Sequence, residues 1–324
     1  MVVRSPVLIY NPAAGGQRER RLRVVETVLG VLRAGGIDTQ AVPTHGPASA
    51  IEQAREAVAG GCDAVIVCGG DGTVNEVLQG IAGSGAALGI VPLGTGNVLA
   101  RDLGLPRDPA AAARLLLESE PQLVTAGRLA FQHEQHRLGV RLFAAAAGIG
   151  PDAQIMYEMS SHSKGRFGMA AYYLKATEIW LRHRLVPFTV EYVKSEGGER
   201  VKETVYQMLA VRTGDFGALL GRMVAAASLD RHDFGLVLLR TKSRLRISQY
   251  MVGRLLRREW SVPGVNIDFA TEAECTLFPS PEAERGAPAK LYAEVDGEVV
   301  GSPPARVDVL RDAFRLLRPR KSRS

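Results

Sequence analysis

The sequence contains few cysteines and aromatic residues, and it has no long apolar run. Three cysteines occur in 324 residues, too few for a disulfide framework, and the apolar run around Cys68 predicts a buried thiol. The N-terminal residues contain no apolar core of a secretory signal, so we expect a reducing, cytoplasmic compartment. No apolar run approaches the roughly 20 residues of a transmembrane helix, so any action on a membrane is expected from its surface.

Positive charge is concentrated in two segments of an otherwise ordinary composition. The formal net charge is +6, with 40 Lys and Arg against 34 Asp and Glu. Residues 240–260 hold seven basic residues and one Glu, and residues 305–324 hold seven basic residues and two Asp. Such segments can face nucleic acid, anionic lipid or water. Because no zinc-finger or RNA-binding signature accompanies them, we expect no specific nucleic-acid partner.

The first part of the chain alternates apolar strands with helical periodicity. Helices are predicted at about residues 18–32, 48–58 and 73–81, with buried strands at 63–68 and 87–91. Repeated β-α units with continuous apolar strands are typical of a parallel sheet that helices cover on both faces. This part is therefore predicted to be an α/β domain.

From about Leu123 the pattern changes to consecutive strands, one of which is predicted at 204–212. Helical patterns recur only at about 168–181 and 246–258, so a second domain with antiparallel sheets is predicted. The predicted domains are 1–125 with a returning tail at 306–324, and 126–305.

The helical pattern at 246–258 is amphipathic. Ile247, Met251 and Leu255 share one face, and arginines flank it. This suits a helix packed on its own domain, and it equally suits a surface that touches anionic lipid. The sequence leaves both alternatives open.

Two glycine-rich loops follow two successive buried strands. The segment Gly69–Thr73 is predicted to lead into a helix that begins near Val74, and Pro92–Asn97 repeats the pattern one strand later. Glycines let a backbone approach an anion closely, and a helix N-terminus adds free N–H groups. Asp71 would repel a phosphate unless a cation stood between them, which suggests Mg²⁺. Alternatively, these are tight turns in which Asp71 or Thr73 caps the helix.

Other classes of nucleotide-binding site are excluded by their missing motifs. The chain has no Gly-x4-Gly-Lys-Ser/Thr sequence, so it is not a Walker-type protein. It also lacks a strand followed by Gly-x-Gly-x-x-Gly with a later acidic residue, and it lacks protein-kinase signatures.

The glycine loops resemble those of a known family. Asn11-Pro-Ala-Ala-Gly15, Gly69-Gly-Asp-Gly-Thr-Val-Asn-Glu76 and Pro92-Leu-Gly-Thr-Gly-Asn97, with Ala100-Arg-Asp-Leu-Gly104, are similar to the diacylglycerol kinase and sphingosine kinase catalytic family of lipid kinases. The resemblance to bacterial members spans nearly the whole chain. The Gly-Gly-Asp-Gly-Thr motif alone is shared with NAD kinases, whereas its combination with Asn75-Glu76 and the Pro92–Asn97 loop is much more specific to the lipid kinases.

The resemblance implies both a fold and an activity. The fold is a Rossmann-like, parallel-sheet nucleotide domain of the NAD kinase and diacylglycerol kinase type, followed by an antiparallel β-sandwich. The activity is transfer of the γ-phosphate of ATP, with Mg²⁺, to the hydroxyl of a membrane lipid in the interdomain cleft. Diacylglycerol or a sphingoid base would be the acceptor, at the inner face of the membrane and as part of phospholipid biosynthesis. Whether the chain forms a homodimer is left open. The alternatives are an NAD kinase-like small-molecule kinase and a non-catalytic nucleotide- or lipid-binding relative.

The family's motifs also imply site residues. The implied nucleotide-binding positions are Asn11, Pro12, Gly15, Thr44, Gly69, Gly70, Asp71, Gly72, Thr73, Asn75, Glu76, Gly94, Thr95, Gly96 and Asn97. For Thr44, a turn residue before Pro47 is the alternative.

The segment Tyr292–Val300 resembles the family's Asp-Gly-Glu motif, so Asp296 or Glu298 is the implied catalytic base. Asp71 is a rival base, although its place in the phosphate loop favours the role of Mg²⁺ partner. Asp296-Gly297 between apolar runs also predicts a β-hairpin, and a hairpin tip can present carboxylates.

Two positions depart from the family's pattern. Bacterial members often carry Asp-Asp-Gly in the second domain, where the second Asp helps to hold a structural Mg²⁺; here Arg231 follows Asp230, which puts a metal at Asp230 in doubt. Val98 stands where many members that act on diacylglycerol carry Asp, which tilts the expected acceptor toward other lipids.

Overall fold

The structure is a computed structural model that describes residues 3–12, 18–133, 137–162, 178, 185–216, 224, 226–256, 258, 260–278 and 291–319. Gly15 and the helix predicted at 168–181, apart from residue 178, lie outside these residues. The chain divides into two compact units: Met1–Ala126 with Leu310–Ser324, and Gly127–Val309. The sequence placed these boundaries at 125/126 and 305/306.

The first unit is built from alternating strands and helices. Its elements are β1 (Pro6–Tyr10), α1 (Arg18–Ala34), β2 (Gln40–Pro43), α2 (Ser49–Ala59), β3 (Ala64–Gly69), α3 (Asp71–Ile81), β4 (Ala87–Pro92), α4 (Val98–Asp102), α5 (Pro109–Leu117) and the start of β5 (Ser119–Gln132). The strands pair in parallel in the order β2-β1-β3-β4, and the end of the last strand, β14 (Glu298–Pro319), joins β4 in parallel through Arg315 and Leu316.

The central strands of this sheet are buried along their whole length. Every residue of β3 and β4 is buried, which is expected where helices cover both faces of a parallel sheet. Helices α1 and α5 pack against each other, as do α2 and α3. The glycine loops therefore start at the carboxyl ends of rigid, buried strands, where ligands bind in sheets of this kind.

The second unit is mainly antiparallel. Its elements are β6 (Leu138–Phe143), β7 (Ala146–Ile149), α6 (Pro151–His162), β8 (Phe188–Lys194), β9 (Arg200–Val205), β10 (Gln207–Val211), β11 (Phe234–Leu239), α7 (Arg244–Leu255), β12 (Val265–Leu277) and β13 (Ala293–Val295), with most of β14. The strands follow the order β13-β7-β10-β11-β12-β8-β9 with antiparallel pairing. The predicted fold class, a parallel-sheet α/β domain followed by antiparallel strands, is confirmed.

Three local predictions were wrong. Helix α3 begins at Asp71 and not near Val74, because Gly70 is extended and serves as the N-cap. The strand predicted over 204–212 is two strands that separate at Tyr206. Helix α6 was not predicted, since its sequence carries only a weak apolar periodicity.

None of the helices in the described part of the chain combines the length and the apolar character needed to cross a bilayer.

Candidate active site

Two glycine-rich segments approach each other backbone to backbone at the carboxyl ends of β3 and β4. A Cβ atom at Gly94 would lie 2.6 Å from the Cα of Gly70, and a Cβ at Gly70 would lie 3.1 Å from the Cα of Gly94. A side chain at Gly94 would force the two segments apart. The glycines are therefore required by the close contact of the two loops, in addition to any contact with a ligand.

The carboxylate of Asp71 ties the second segment to the start of α3. Its Oδ2 accepts the backbone N–H of Asn97 at 2.7 Å, and its Oδ1 accepts that of Val98 at 2.7 Å. Asn97 is the N-cap of α4 and has a φ of 48°. Because a helix cannot satisfy its own first N–H groups, a carboxylate there is stabilising. Asp71 thus caps α4, whereas the sequence suggested a Mg²⁺ partner or, as the alternative, a cap of its own helix.

The environment of Asp71 is enclosed. Burial raises its pKa above the ordinary value, and the amides of Val98 and Asn97 together with the guanidinium of Arg101 oppose that rise. A Cβ at Gly96 would lie 2.6 Å from the Oδ2 of Asp71, so a larger residue would displace the carboxylate.

The Gly94–Asn97 loop is closed by its own last side chain. Asn97 Oδ1 accepts the N–H of Gly94 at 2.9 Å, and Asn97 Nδ2 donates to the carbonyl of Gly94 at 2.7 Å. Gly94, Thr95 and Gly96 are exposed. The loop is therefore rigid and presents its backbone and the Thr95 hydroxyl outward.

The rest of the first motif runs into α3. Gly72 is half-buried in the first turn, whereas Thr73 and Asn75 are buried. Gly69 lies over Thr73, because a Cβ at Gly69 would come 3.0 Å from the Thr73 Cβ. Of this motif, the N–H groups at the start of α3 are the part best suited to an anion.

Glu76, in α3, contacts the segment between β2 and α2 that contains Thr44. Glu76 Oε1 accepts the N–H of Ala48 at 2.9 Å, and Oε2 accepts that of Ala50 at 3.0 Å, so Glu76 caps α2. Thr44 donates its N–H to the carbonyl of Tyr10 at 2.8 Å. Asn11 and Pro12, the described part of the first predicted loop, are half-buried at the end of β1.

A cationic pocket lies beside the Gly94–Asn97 loop. Its volume is about 520 Å³. Its lining includes Arg20 and Arg21 from α1, together with Arg101 and Arg107 from α4 and the following turn. Arg21 Nη1 donates to the carbonyl of Leu93 at 3.2 Å. None of the described lining residues is acidic, so the pocket suits a strongly anionic ligand.

Magnesium fits this part of the chain through one carboxylate. Each oxygen of Asp71 accepts one N–H, and a carboxylate oxygen has a second lone pair. Mg²⁺ is commonly bound by one or two carboxylates together with substrate phosphates and water. No group of three or more His, Cys, Asp or Glu able to hold a metal occurs among the described residues. Asp71 therefore suits a magnesium ion that a nucleotide shares.

The second predicted carboxylate motif forms a tight turn in the second unit. Asp296 and Gly297 join β13 to β14 with φ of 48° and 86°, the positive values that a type I′ hairpin turn needs. The predicted hairpin is confirmed. The Asp296 carboxylate accepts three backbone N–H groups, from residues 144, 145 and 146, at 3.2, 3.0 and 2.9 Å.

Glu298, the other candidate base, is partly exposed. Its side chain is 43% exposed, and the Nη2 of Arg141 lies 3.8 Å from its Oε2. Three of the roughly four lone-pair sites on the Asp296 carboxylate already accept amides. Glu298 is therefore better placed to receive a proton from a ligand.

Two further carboxyl groups are buried next to this turn. A Cβ at Gly148 would overlap both Asp152 Oδ2 and Glu294 Oε1, so the two side chains share the space that this glycine leaves open. Burial raises the pKa of Asp152 to about 6. Burial, together with the charge of Asp152, raises the pKa of Glu294 well above its ordinary value. Both carboxyl groups are therefore harder to ionise than they would be in water.

Comparisons with known proteins support the family resemblance. Residues 5–129 match the family described as "Diacylglycerol kinase catalytic domain". The resemblance to the diacylglycerol kinase catalytic family is confirmed. A diacylglycerol kinase of Staphylococcus saprophyticus is 27% identical over 318 residues, which cover 96% of this chain and 94% of the relative. One of Staphylococcus aureus is 28% identical over 300 residues, 92% of this chain and 87% of the relative. The resemblance to this family supports a lipid kinase.

Solved structures share the fold. A diacylglycerol kinase from Bacillus anthracis superposes with a TM-score of 0.67 at 18% identity, covering 98% of this chain and 97% of the other. Yeast NADH kinase complexed with NADH superposes with a TM-score of 0.51 at 10% identity, covering 98% of this chain and 84% of the other. The kinase fold is thus common to both, and it does not by itself select an acceptor.

The family's structural metal does not fit the residues around Asp230. Arg231 stands where the family carries Asp, and its guanidinium binds Asp233 through Nε at 2.6 Å and Nη2 at 2.5 Å. The same guanidinium lies over the ring of Phe269 at 4.0 Å. Asp230 itself is exposed. A cationic side chain thus occupies the place of a metal ligand.

A second guanidinium is buried against the same loop. Arg212 is 1% exposed and donates to the carbonyls of Leu229, Arg231 and Asp233. Burial lowers the pKa of Arg212 to about 10, so it is charged at neutral pH. Two arginines therefore bring positive charge to this loop, and Asp230 is not supported as a magnesium ligand.

Sequence reasoning missed two groups of residues at these sites. The arginines of the cationic pocket come from three places in the chain, and their only local signal is the basic run at residues 18–23. The Asp152–Glu294 pair joins residues 142 positions apart. Its signal was a Gly-x-Gly before Asp152; Glu294 alternates with the core residues Ala293 and Val295, so its burial has no local signal.

Proposed function

We propose that this chain is a lipid kinase that transfers the γ-phosphoryl group of ATP to the hydroxyl of a membrane lipid, diacylglycerol or a related alcohol such as a sphingoid base. The observation that carries the proposal is the arginine-lined pocket beside the rigid Gly94–Asn97 loop. A triphosphate is the anionic ligand that such a pocket suits. The match to the diacylglycerol kinase catalytic domain supports a lipid as the acceptor.

The residues of the first unit bind and orient the phosphates. The N–H groups at the start of α3 and the exposed backbone of residues 94–96 donate to phosphate oxygens. Arg20 and Arg107, both exposed at the pocket, neutralise charge that develops in transfer. Magnesium, held through Asp71 and the phosphates, supplies further neutralisation of that charge.

Glu298 acts as the general base. It takes the proton of the lipid hydroxyl while that oxygen bonds to the γ-phosphorus and the bond from the γ-phosphorus to the bridging oxygen breaks, so ADP leaves. Arg141, 3.8 Å from Glu298, keeps the carboxylate oriented. Asp296, with its three amide contacts, holds the turn that presents Glu298.

Two variants separate binding from chemistry. Arg20→Gln with Arg107→Gln is expected to weaken Mg·ATP binding in calorimetry by at least about tenfold, since two charged contacts are lost. Glu298→Gln is expected to leave that affinity unchanged and to reduce kcat by about 10²–10⁴-fold. Arg55→Gln, at an exposed arginine paired within α2 to Glu52, is the matched control and should change neither quantity.

The acceptor is identified by label transfer. With radiolabelled ATP, label is expected in lipid from mixed micelles of diacylglycerol or sphingoid base. Label on NAD and on no lipid would refute the proposed acceptor and support the NAD kinase-like alternative. Mg·ATP binding without transfer to either would support a non-catalytic relative.

A further inference from the structure

Helix α7 packs on the second unit through one face. Ile247 and Tyr250 are buried, and Arg254 is 8% exposed with its guanidinium 5.0 Å from the centre of the Tyr250 ring. Gly253 contacts Trp260, because a Cβ there would come 3.1 Å from that ring. The inner face of α7 is therefore packed against its own unit.

The opposite face of α7 exposes three large apolar side chains beside the polar Ser248 and Gln249. Leu245 is 80% exposed, Val252 45% and Leu256 55%. At about 100° per residue, positions 245, 252 and 256 fall within about 40° of one another and point away from Ile247 and Tyr250. A helix whose outer face meets only water carries polar residues there. Met251, 47% exposed, lies about 40° from Ile247 and does not belong to this stripe.

The surroundings of the stripe are positively charged. Lys242, Arg246 and Arg258 are exposed, and no Asp or Glu occurs between residues 240 and 258. Apolar side chains on the outermost line of a helix, flanked by cations, match the boundary between acyl chains and anionic headgroups. A protein partner would need its own acidic rim and apolar groove, whereas a bilayer supplies both.

We propose that the outer face of α7 docks on an anionic lipid bilayer, with Leu245, Val252 and Leu256 in the acyl boundary and the three cations at the headgroups. This rests on the proposed function only in that the acceptor lies in a membrane. The docking surface lies wholly in the second unit and needs neither nucleotide nor catalysis.

Sedimentation of the full chain with vesicles, in the absence of nucleotide, tests the proposal. Binding is expected with phosphatidylcholine mixed with phosphatidylglycerol, and much weaker binding with phosphatidylcholine alone or at high salt. Leu245→Glu and Val252→Glu are each expected to weaken binding by at least about tenfold. Arg246→Gln should weaken it about fivefold.

Leu138→Glu is the matched control, because Leu138 is 82% exposed on β6 and lies outside the stripe. Its binding should equal that of the unmodified chain. Unchanged binding by Leu245→Glu, or an equal loss in Leu138→Glu, would overturn the proposal. Self-association of the unmodified chain in sedimentation velocity, abolished by Leu245→Glu while vesicle binding persists, would show instead that the stripe joins two copies.

A water-soluble acceptor distinguishes a failure of membrane docking from a failure of the proposed kinase activity. The Leu245→Glu variant is expected to phosphorylate a short-chain, water-soluble diacylglycerol at the rate of the unmodified chain. It should lose activity toward diacylglycerol in vesicles. If the unmodified chain phosphorylates no lipid yet binds vesicles through α7, the kinase proposal fails and the docking surface stands.

Discussion

Replacing Asp71 by Asn tests whether this carboxylate holds the two glycine segments together. In the structure it accepts the N–H groups of Asn97 and Val98, each at 2.7 Å. An Asn side chain has one acceptor oxygen, so its NH₂ group would face the second N–H. One charged hydrogen bond becomes neutral, and one enclosed amide loses its acceptor.

The size of the loss follows from these two changes. A hydrogen bond to a charged group contributes roughly 1.5–3 kcal/mol, and an unsatisfied buried donor costs about 1–3 kcal/mol. We therefore expect Asp71→Asn to lower the opening free energy of this loop by about 2–4 kcal/mol. Asp108→Asn is the control: Asp108 Oδ1 accepts the N–H of Ala111 at 2.8 Å as the N-cap of α5. Asn caps a helix as well as Asp does, so less than about 0.5 kcal/mol should be lost there.

Hydrogen exchange in the absence of nucleotide and magnesium gives the direct measurement. Peptides that contain the amides of residues 97 and 98 should exchange about 30- to 1,000-fold faster in Asp71→Asn, since each 1.4 kcal/mol is tenfold. Peptides around residue 111 should be unchanged in both variants. Unchanged exchange at 97 and 98, with only Mg·ATP affinity reduced, would refute the capping role and leave Asp71 as a metal partner alone.

Three further results are expected. Burial raises the pKa of Asp152 to about 6, so the folded chain keeps a proton that the unfolded chain loses near the usual pKa of about 3.9. Stability therefore falls as pH rises from about 4 to 6. The Asp152→Asn variant should show a smaller change of melting temperature with pH over that range. Arg212→Met should lower the free energy of unfolding by about 3 kcal/mol, since three carbonyls lose a donor. Because no structural metal is expected at Asp230, EDTA should leave the melting temperature of the unmodified chain unchanged. Gly94→Ala should cost about 1–3 kcal/mol in urea unfolding, because its Cβ meets Gly70; Gly30→Ala, with open space in α1, should be neutral or stabilising.

The parts of the fold that local rules determine were predictable from the sequence. Apolar runs and glycine punctuation marked β3, β4 and both loops, and the Asp296-Gly297 pair predicted its hairpin. The start of α3 was misplaced because Gly70, which has few backbone restrictions, can be extended or helical, and only the packed structure selects one. The break at Tyr206 likewise has no local signal, since apolar residues continue across it.

Contacts between distant residues were beyond the sequence. The hydrogen bonds that Asp71 accepts come from residues 26 and 27 positions away. Nothing in the motif distinguishes a carboxylate that caps a second helix from one that binds a metal. The arginine pocket and the Asp152–Glu294 pair also depend on how helices and strands meet. Burial, which shifts the pKa values of that pair, is a property of the packed chain alone.

The structure separates residues that build the loops from residues that can meet a ligand. Asp71, Glu76 and Asp296 each use both carboxylate oxygens to hold backbone amides of another segment. A relative that had lost catalysis would still need them to fold, so the presence of these motif residues cannot distinguish a kinase from a non-catalytic binder. Glu298, Arg20 and Arg107 are instead the residues proposed to meet the substrates. The distinction between the two functions therefore depends on those residues, and their variants are the ones expected to change activity without changing stability.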